Sequence, residues 1–187
     1  MLTEEKYVKA IKAGIICGAA LIFLTIINSL IVNVVGGTDF NDDAISWADN
    51  YTSNENITMS MPEPSAGNTA LLSVVYLLFM SLTLIVFLIS GMLSVKFAAE
   101  YINTKSDAAG IGAFSAVVAE IIHRPVAIIV DMALSLFSSF NIVSVDAILS
   151  TMIGHVICCF PVTLLPGMIL AVIGAIAYKI MKLDREE

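Results

Sequence analysis

Glu120, His123, His155 and Cys159 are the residues of this chain whose types and spacing could do chemistry. Glu120-Ile-Ile-His123 sets a carboxylate and an imidazole on one face of a helix, and His155 and Cys159, four residues apart, do the same. Mixed Glu, His and Cys ligation suits zinc or another borderline metal, although the cation of Arg124 beside it would repel one. An imidazole changes charge near neutral pH and can exchange a proton with a carboxylate. Glu120 and His123, with Arg124 and Asp131 on the same segment, therefore also fit a proton or ion path. A structural role needs less: Glu120 and Arg124 pair at i,i+4, Arg124 extends outward or meets Asp131, and the histidines hydrogen-bond across helices.

All of these residues lie in apolar surroundings, which decides what must position them. Of the 187 residues 58% are hydrophobic and 13% charged, against about 25% charged in ordinary soluble domains, and the mean hydropathy is +0.93. A hydrocarbon core of about 30 Å takes about 20 helical residues to cross. Such stretches fall at about 13–35, 70–95, 108–130 and 152–178, in a single membrane domain over 1–187. The sequence thus predicts an all-α membrane protein, a four-transmembrane-helix bundle. Gly36-Gly37 is expected to end the first span, and Lys6, Lys9 and Lys12 precede a run too long for a cleaved signal. Cys17, Cys158 and Cys159 all lie in apolar stretches, so no secreted-type disulfide framework is present.

The outer loops are expected at 36–69 and 131–151. From Gly36 to Asn68 there are six carboxylates and no Lys or Arg. Basic residues collect on the cytoplasmic side. With both termini in the cytoplasm, Lys6, Lys9, Lys12, Lys96, Lys105, Lys179, Lys182 and Arg185 all lie inside, and only Arg124 does not. The acidic loop between the first two spans is then extracytoplasmic. It holds two N-x-Thr sequons, making Asn50 and Asn56 glycosylation candidates. Its Asp39-Phe-Asn-Asp-Asp start resembles an EF-hand loop, but Ala44 stands where Gly is needed and Asn50 where Glu should close the site. The amphiphilic stretch 134–149 suits an interfacial helix or a re-entrant piece.

Helices in lipid associate through small and polar residues, so such residues at steps of three and four mark buried faces. Span 3 offers Ala109, Ala113, Ala116, Glu120, His123, Ala127 and Asp131, with Ile111 and Phe114 elsewhere. Span 1 offers Gly14, Gly18, Leu21, Thr25 and Asn28, span 2 Ser73, Tyr76, Thr83, Ser90 and Ser94, and span 4 Gly167, Ala171 and Gly174. If span 3 enters near Ala108, Glu120 lies about 18 Å in and His123 about 22 Å. If span 4 re-enters near Thr151, His155 and Cys159 lie about 6 and 12 Å below the outer boundary. A layer of all four is then geometrically consistent. Pro125, Pro161 and Pro166 bend their helices or free carbonyls at that depth.

The chain has no His-Glu-x-x-His, Gly-x-Ser-x-Gly, P-loop, Cys-x-x-Cys or dinucleotide fingerprint, so catalysis is not expected. No cofactor can be named. The short, acidic loops do not suit nucleic acid. Val95 to Ile122, with Asp107-Ala-Ala-Gly-Ile-Gly-Ala at its centre, resembles small archaeal multispan membrane proteins of unknown function. The resemblance covers about 30 residues, rests on small-residue composition, and implies an archaeal envelope without assigning any residue a role. The expectation is a small non-catalytic protein of the plasma membrane, an accessory or scaffold subunit of an envelope complex. Its partners are the bilayer and either another membrane protein or further copies of itself. The rival is a proton, ion or small-solute transporter or channel using Glu120, His123 and His155.

Overall fold

The structure, a computed structural model, describes residues 2–51, 66–138 and 160–183. Helix α1 covers Leu2–Tyr51, α2 Ala66–Phe97, α3 Lys105–Ser138 and α4 Phe160–Tyr178. A 3-10 turn at Ala99–Tyr101 leads from α2 to α3, and α4 passes into a π-helical turn at Lys179–Leu183. Within these helices four stretches are long and apolar enough to cross a membrane: Glu4–Val32, Ala70–Phe97, Lys105–Val130 and Pro161–Lys182. The expected all-α class with four apolar spans is what the described residues form.

One boundary differs. The helix of the first span does not stop at Gly36-Gly37 but continues to Tyr51. Glycine costs about 1 kcal/mol relative to alanine inside a helix, which weakens a long helix without ending it, and the chain has no proline before Pro62 to remove a backbone donor. Asn50 therefore falls in the last turn of α1. Asn56, most of the stretch 134–149, His155 and Cys159 lie outside the described residues.

The helices form two parallel pairs that run antiparallel to each other. In the first, Gly14 of α1 lies against Ser115 and Val118 of α3, and Gly18 against Ala119 and Ile122. In the second, Gly167 of α4 faces the Phe87 ring of α2, and Ala171 one turn on faces Gly91. A β-carbon on Gly91 would overlap the Ala171 carbonyl, and one on Gly174 the Leu88 carbonyl. The backbones therefore approach as closely as only glycine allows. The Gly-x-x-x-Gly of α1 is used within the chain, against α3.

The starts of α1 and α3 meet the ends of α2 and α4 in a core of Ala10, Val95, Ala98, Ile102, Ala108, Ile111 and Ala175. At this end the Lys6 ammonium donates to Asp107 Oδ1 at 3.0 Å, and the Tyr101 hydroxyl to Glu5 Oε2 at 2.6 Å. Thr104 caps α3 by accepting the Asp107 backbone N–H at 3.1 Å while donating to Asp107 Oδ2 at 2.9 Å. Further along, Ser90 and Ser115, both fully buried, are 3.1 Å apart and join α2 to α3. A second apolar core follows, of Cys17, Leu21, Phe87, Ala116, Ala119 and Ala171. Beyond it lies a polar layer.

Two buried faces differ from expectation. On α3, Ala116, Glu120, His123 and Ala127 are buried as predicted, but Ala109 and Ala113 are only half-buried while Ile111, Gly112, Ser115 and Ala119 are buried. Three neighbours cover α3, so its interior face is wider than one seam. On α2, Ser90 and Ser94 are buried and Thr83 half-buried, but Ser73 and Tyr76 are exposed. The first half of α2 is mostly exposed, with Val74, Leu77 and Leu78 each more than half accessible, as lipid-facing positions are.

Candidate functional site

The polar layer is assembled by three helices. Glu120 and Arg124 stand one turn apart on α3, so their side chains meet without tertiary help. The Arg124 guanidinium donates through Nε to Glu120 Oε1 at 3.0 Å and through Nη2 to the same oxygen. From α4 the Thr163 hydroxyl donates to Glu120 Oε1 at 2.7 Å, and Arg124 Nη2 also reaches that hydroxyl. His123, three residues from Glu120, has Nδ1 3.3 Å from Glu120 Oε2 and Nε2 2.8 Å from the Thr25 hydroxyl of α1. A continuous polar chain thus runs Thr25, His123, Glu120, Arg124, Thr163 across α1, α3 and α4.

The carboxylate at its centre is 1% exposed, as is typical only of charges that are paired. Arg124 does not extend outward but turns across α3 towards α4. Its charge neutralises Glu120, and the threonine and histidine take up further lone pairs, which a buried ion needs if it is not to cost several kcal/mol. Both ring nitrogens of His123 thus have a partner, Nδ1 towards Glu120 and Nε2 towards Thr25.

No known protein family, curated protein or solved structure matches this chain.

A cleft of about 240 Å³ opens beside the layer. Its polar wall is formed by Thr25, Asn28, Glu120, His123, Arg124 and Thr163. Its apolar wall comes chiefly from α2, with Tyr76, Phe79, Thr83, Leu84 and Phe87, and Pro166 of α4 closes one side. α2 and α3 touch through Ser90 and Ser115, and further along Thr83 of α2 and Glu120 of α3 both line the cleft. The apolar core of Leu21, Phe87, Ala116, Ala119 and Ala171 closes the bundle on the other side of the layer. The cleft is therefore blind towards the end where α1 begins.

Of the residues singled out in the sequence, Glu120, His123 and Arg124 are brought together. Asp131 lies in α3, but its side chain, like His155 and Cys159, is outside what the structure describes. Among the described residues no three His, Cys, Asp or Glu side chains converge as metal ligands. Thr163 was not foreseen as a partner of the ion pair. Its signal was a hydroxyl between Pro161 and Pro166 in an otherwise apolar stretch.

Proposed function

We propose that the chain is a non-catalytic multispan protein of the plasma membrane that serves as an accessory or scaffold subunit of an envelope complex. The observation that carries this reading is the mutual satisfaction of the buried charges: Glu120 is neutralised by Arg124 and hydrogen-bonded by Thr163 and His123, and an apolar core closes the bundle beneath. Such a layer ties three helices into one body. The starts of α1 and α3 and the ends of α2 and α4 gather Lys6, Lys9, Lys12, Lys96, Lys105, Lys179 and Lys182 at one end. That asymmetry supports cytoplasmic termini and an acidic outer segment that meets the partner. The likeness of Val95 to Ile122 to small archaeal multispan proteins supports an archaeal setting. Purification of the full chain in mild detergent tests the reading: a stoichiometric partner protein is expected, and a chain that purifies alone and whose deletion disturbs no envelope complex would sink it.

A second reading, a transporter of protons, ions or a small solute through Glu120, His123 and His155, is favoured by the cleft beside the polar layer. Proteoliposomes separate the two. Flux lost in Glu120→Gln and His123→Ala supports transport, and flux indistinguishable from empty vesicles supports the scaffold.

A further inference from the structure

Among the described residues one buried polar side-chain atom has no hydrogen-bond partner: Oδ1 of Asn28, on the polar wall of the cleft. A buried amide oxygen left without a donor costs about 1–3 kcal/mol. Its neighbours on the polar wall are engaged with one another, Thr25 with His123, and Glu120 with Arg124 and Thr163. Among the described residues, then, no group answers Asn28, and the cleft in front of it leaves room for a group from outside the chain. A hydroxyl answers it in either orientation of the amide, donating to Oδ1 or accepting from Nδ2.

The cleft also specifies the rest of that molecule. Its volume, about 240 Å³, exceeds the roughly 150 Å³ that accommodates benzene in an apolar cavity, so a substituted ring fits. Asn28 shares the lining of the cleft with the rings of Tyr76, Phe79 and Phe87, which suit a flat ring stacked or edge-on. Among the described residues that line the cleft, the acid and base Glu120 and Arg124 pair with each other, so neither is left as a counter-ion for a charged ligand. Its rim is formed by Tyr76 and Met80 of α2 and Val162 of α4, which are 62%, 52% and 69% exposed. Tyr76 and Val162 stand near the starts of the apolar spans Ala70–Phe97 and Pro161–Lys182, so in a bilayer the mouth between α2 and α4 would open at the edge of the hydrocarbon.

We propose that this cleft binds the hydroxyl-bearing ring of a neutral, membrane-dissolved amphiphile, a phenol or a quinol, which enters between α2 and α4 and hydrogen-bonds to Asn28. This goes beyond the scaffold reading and does not depend on it.

The test uses the full chain in lipid nanodiscs with radiolabelled para-octylphenol, and octylbenzene as the analogue lacking only the hydroxyl. The expected result is saturable binding of the phenol at one site per chain, with octylbenzene about tenfold weaker, the equivalent of one modest hydrogen bond. Asn28→Ala should weaken the phenol by the same factor and leave octylbenzene unchanged. Leu84→Trp, which fills the apolar wall, should abolish binding of both; it decides the matter if Asn28→Ala does not fold by helicity and elution volume. Non-saturating partition equal for the two compounds, or wild-type binding in both variants, would overturn the proposal and leave Asn28 to water alone.

Discussion

Thr163 of α4 donates to Glu120 Oε1 of α3 at 2.7 Å, on the same oxygen that Arg124 holds. One carboxylate oxygen is thereby shared between an ion pair inside a helix and a hydrogen bond between helices. Removing the Arg124 cation alone leaves the Glu120 charge buried without its ion-pair partner, and breaking a buried pair in this way typically costs about 3–5 kcal/mol. Arg124→Met should accordingly lower the thermal midpoint of the detergent-solubilised protein sharply. The double variant Glu120→Gln/Arg124→Met should recover much of that loss, because no charge is left buried. Equal loss in the single and double variants would mean that the pair is not coupled.

The Thr25 to His123 contact joins the parallel helices α1 and α3 at 2.8 Å. Thr25→Val keeps the shape and removes the hydroxyl, and interhelical hydrogen bonds in membranes average about 0.6 kcal/mol. A small loss is expected in Thr25→Val, and a double-mutant cycle with His123→Leu should show coupling of that order. Additive losses in a reversible unfolding titration would show that the two side chains do not act together.

How much of this could be read in the sequence depends on how local the interaction is. The Glu120–Arg124 pair is a matter of one helical turn and was legible. So was the use of Gly167, Ala171 and Gly174 as the buried face of α4, because small residues at steps of four and three have few other uses in lipid. Ile111 lies off the face of small and polar residues yet is buried, since an isoleucine is equally apolar against lipid or protein and hydropathy cannot tell the two apart. Tyr76 was assigned inward and is 62% exposed, because the separation of α2 from α3 beyond Ser90 is a property of the assembled bundle. Thr163 was missed for the same reason: its partner is 43 residues away in sequence.

Glycines in this chain should divide by what surrounds them. Gly91 and Gly174 abut the backbone carbonyls of Ala171 and Leu88, which cannot move aside as a flexible side chain can. Gly110 has nothing within 4 Å of where its β-carbon would be. Gly91→Ala and Gly174→Ala should each separate α2 from α4 and cost about 1–3 kcal/mol as overpacking does. Gly110→Ala should be neutral or stabilising by up to about 1 kcal/mol through helix propensity. Thermal midpoints of the three variants check this, and a Gly91→Ala protein as stable as the parent would show that the close α2–α4 approach is not required.

Tyr101, in the turn between α2 and α3, donates its hydroxyl to Glu5 of α1 at 2.6 Å. That hydrogen bond to the carboxylate, followed by burial and the negative charges of Glu5 and Glu100, holds the phenol above its ordinary ionisation range. Ionisation would remove the donor and set a phenolate against a carboxylate. A folded-state pKa raised above the unfolded value means that the bond's contribution is complete below the unfolded pKa, about 10, and is lost as pH rises through the folded one. Spectrophotometric titration should therefore show one late-ionising tyrosine that disappears in Tyr101→Phe and returns to the ordinary range in Glu5→Gln. A Glu5→Gln titration curve superimposable on that of the parent would show that the contact does not hold in solution.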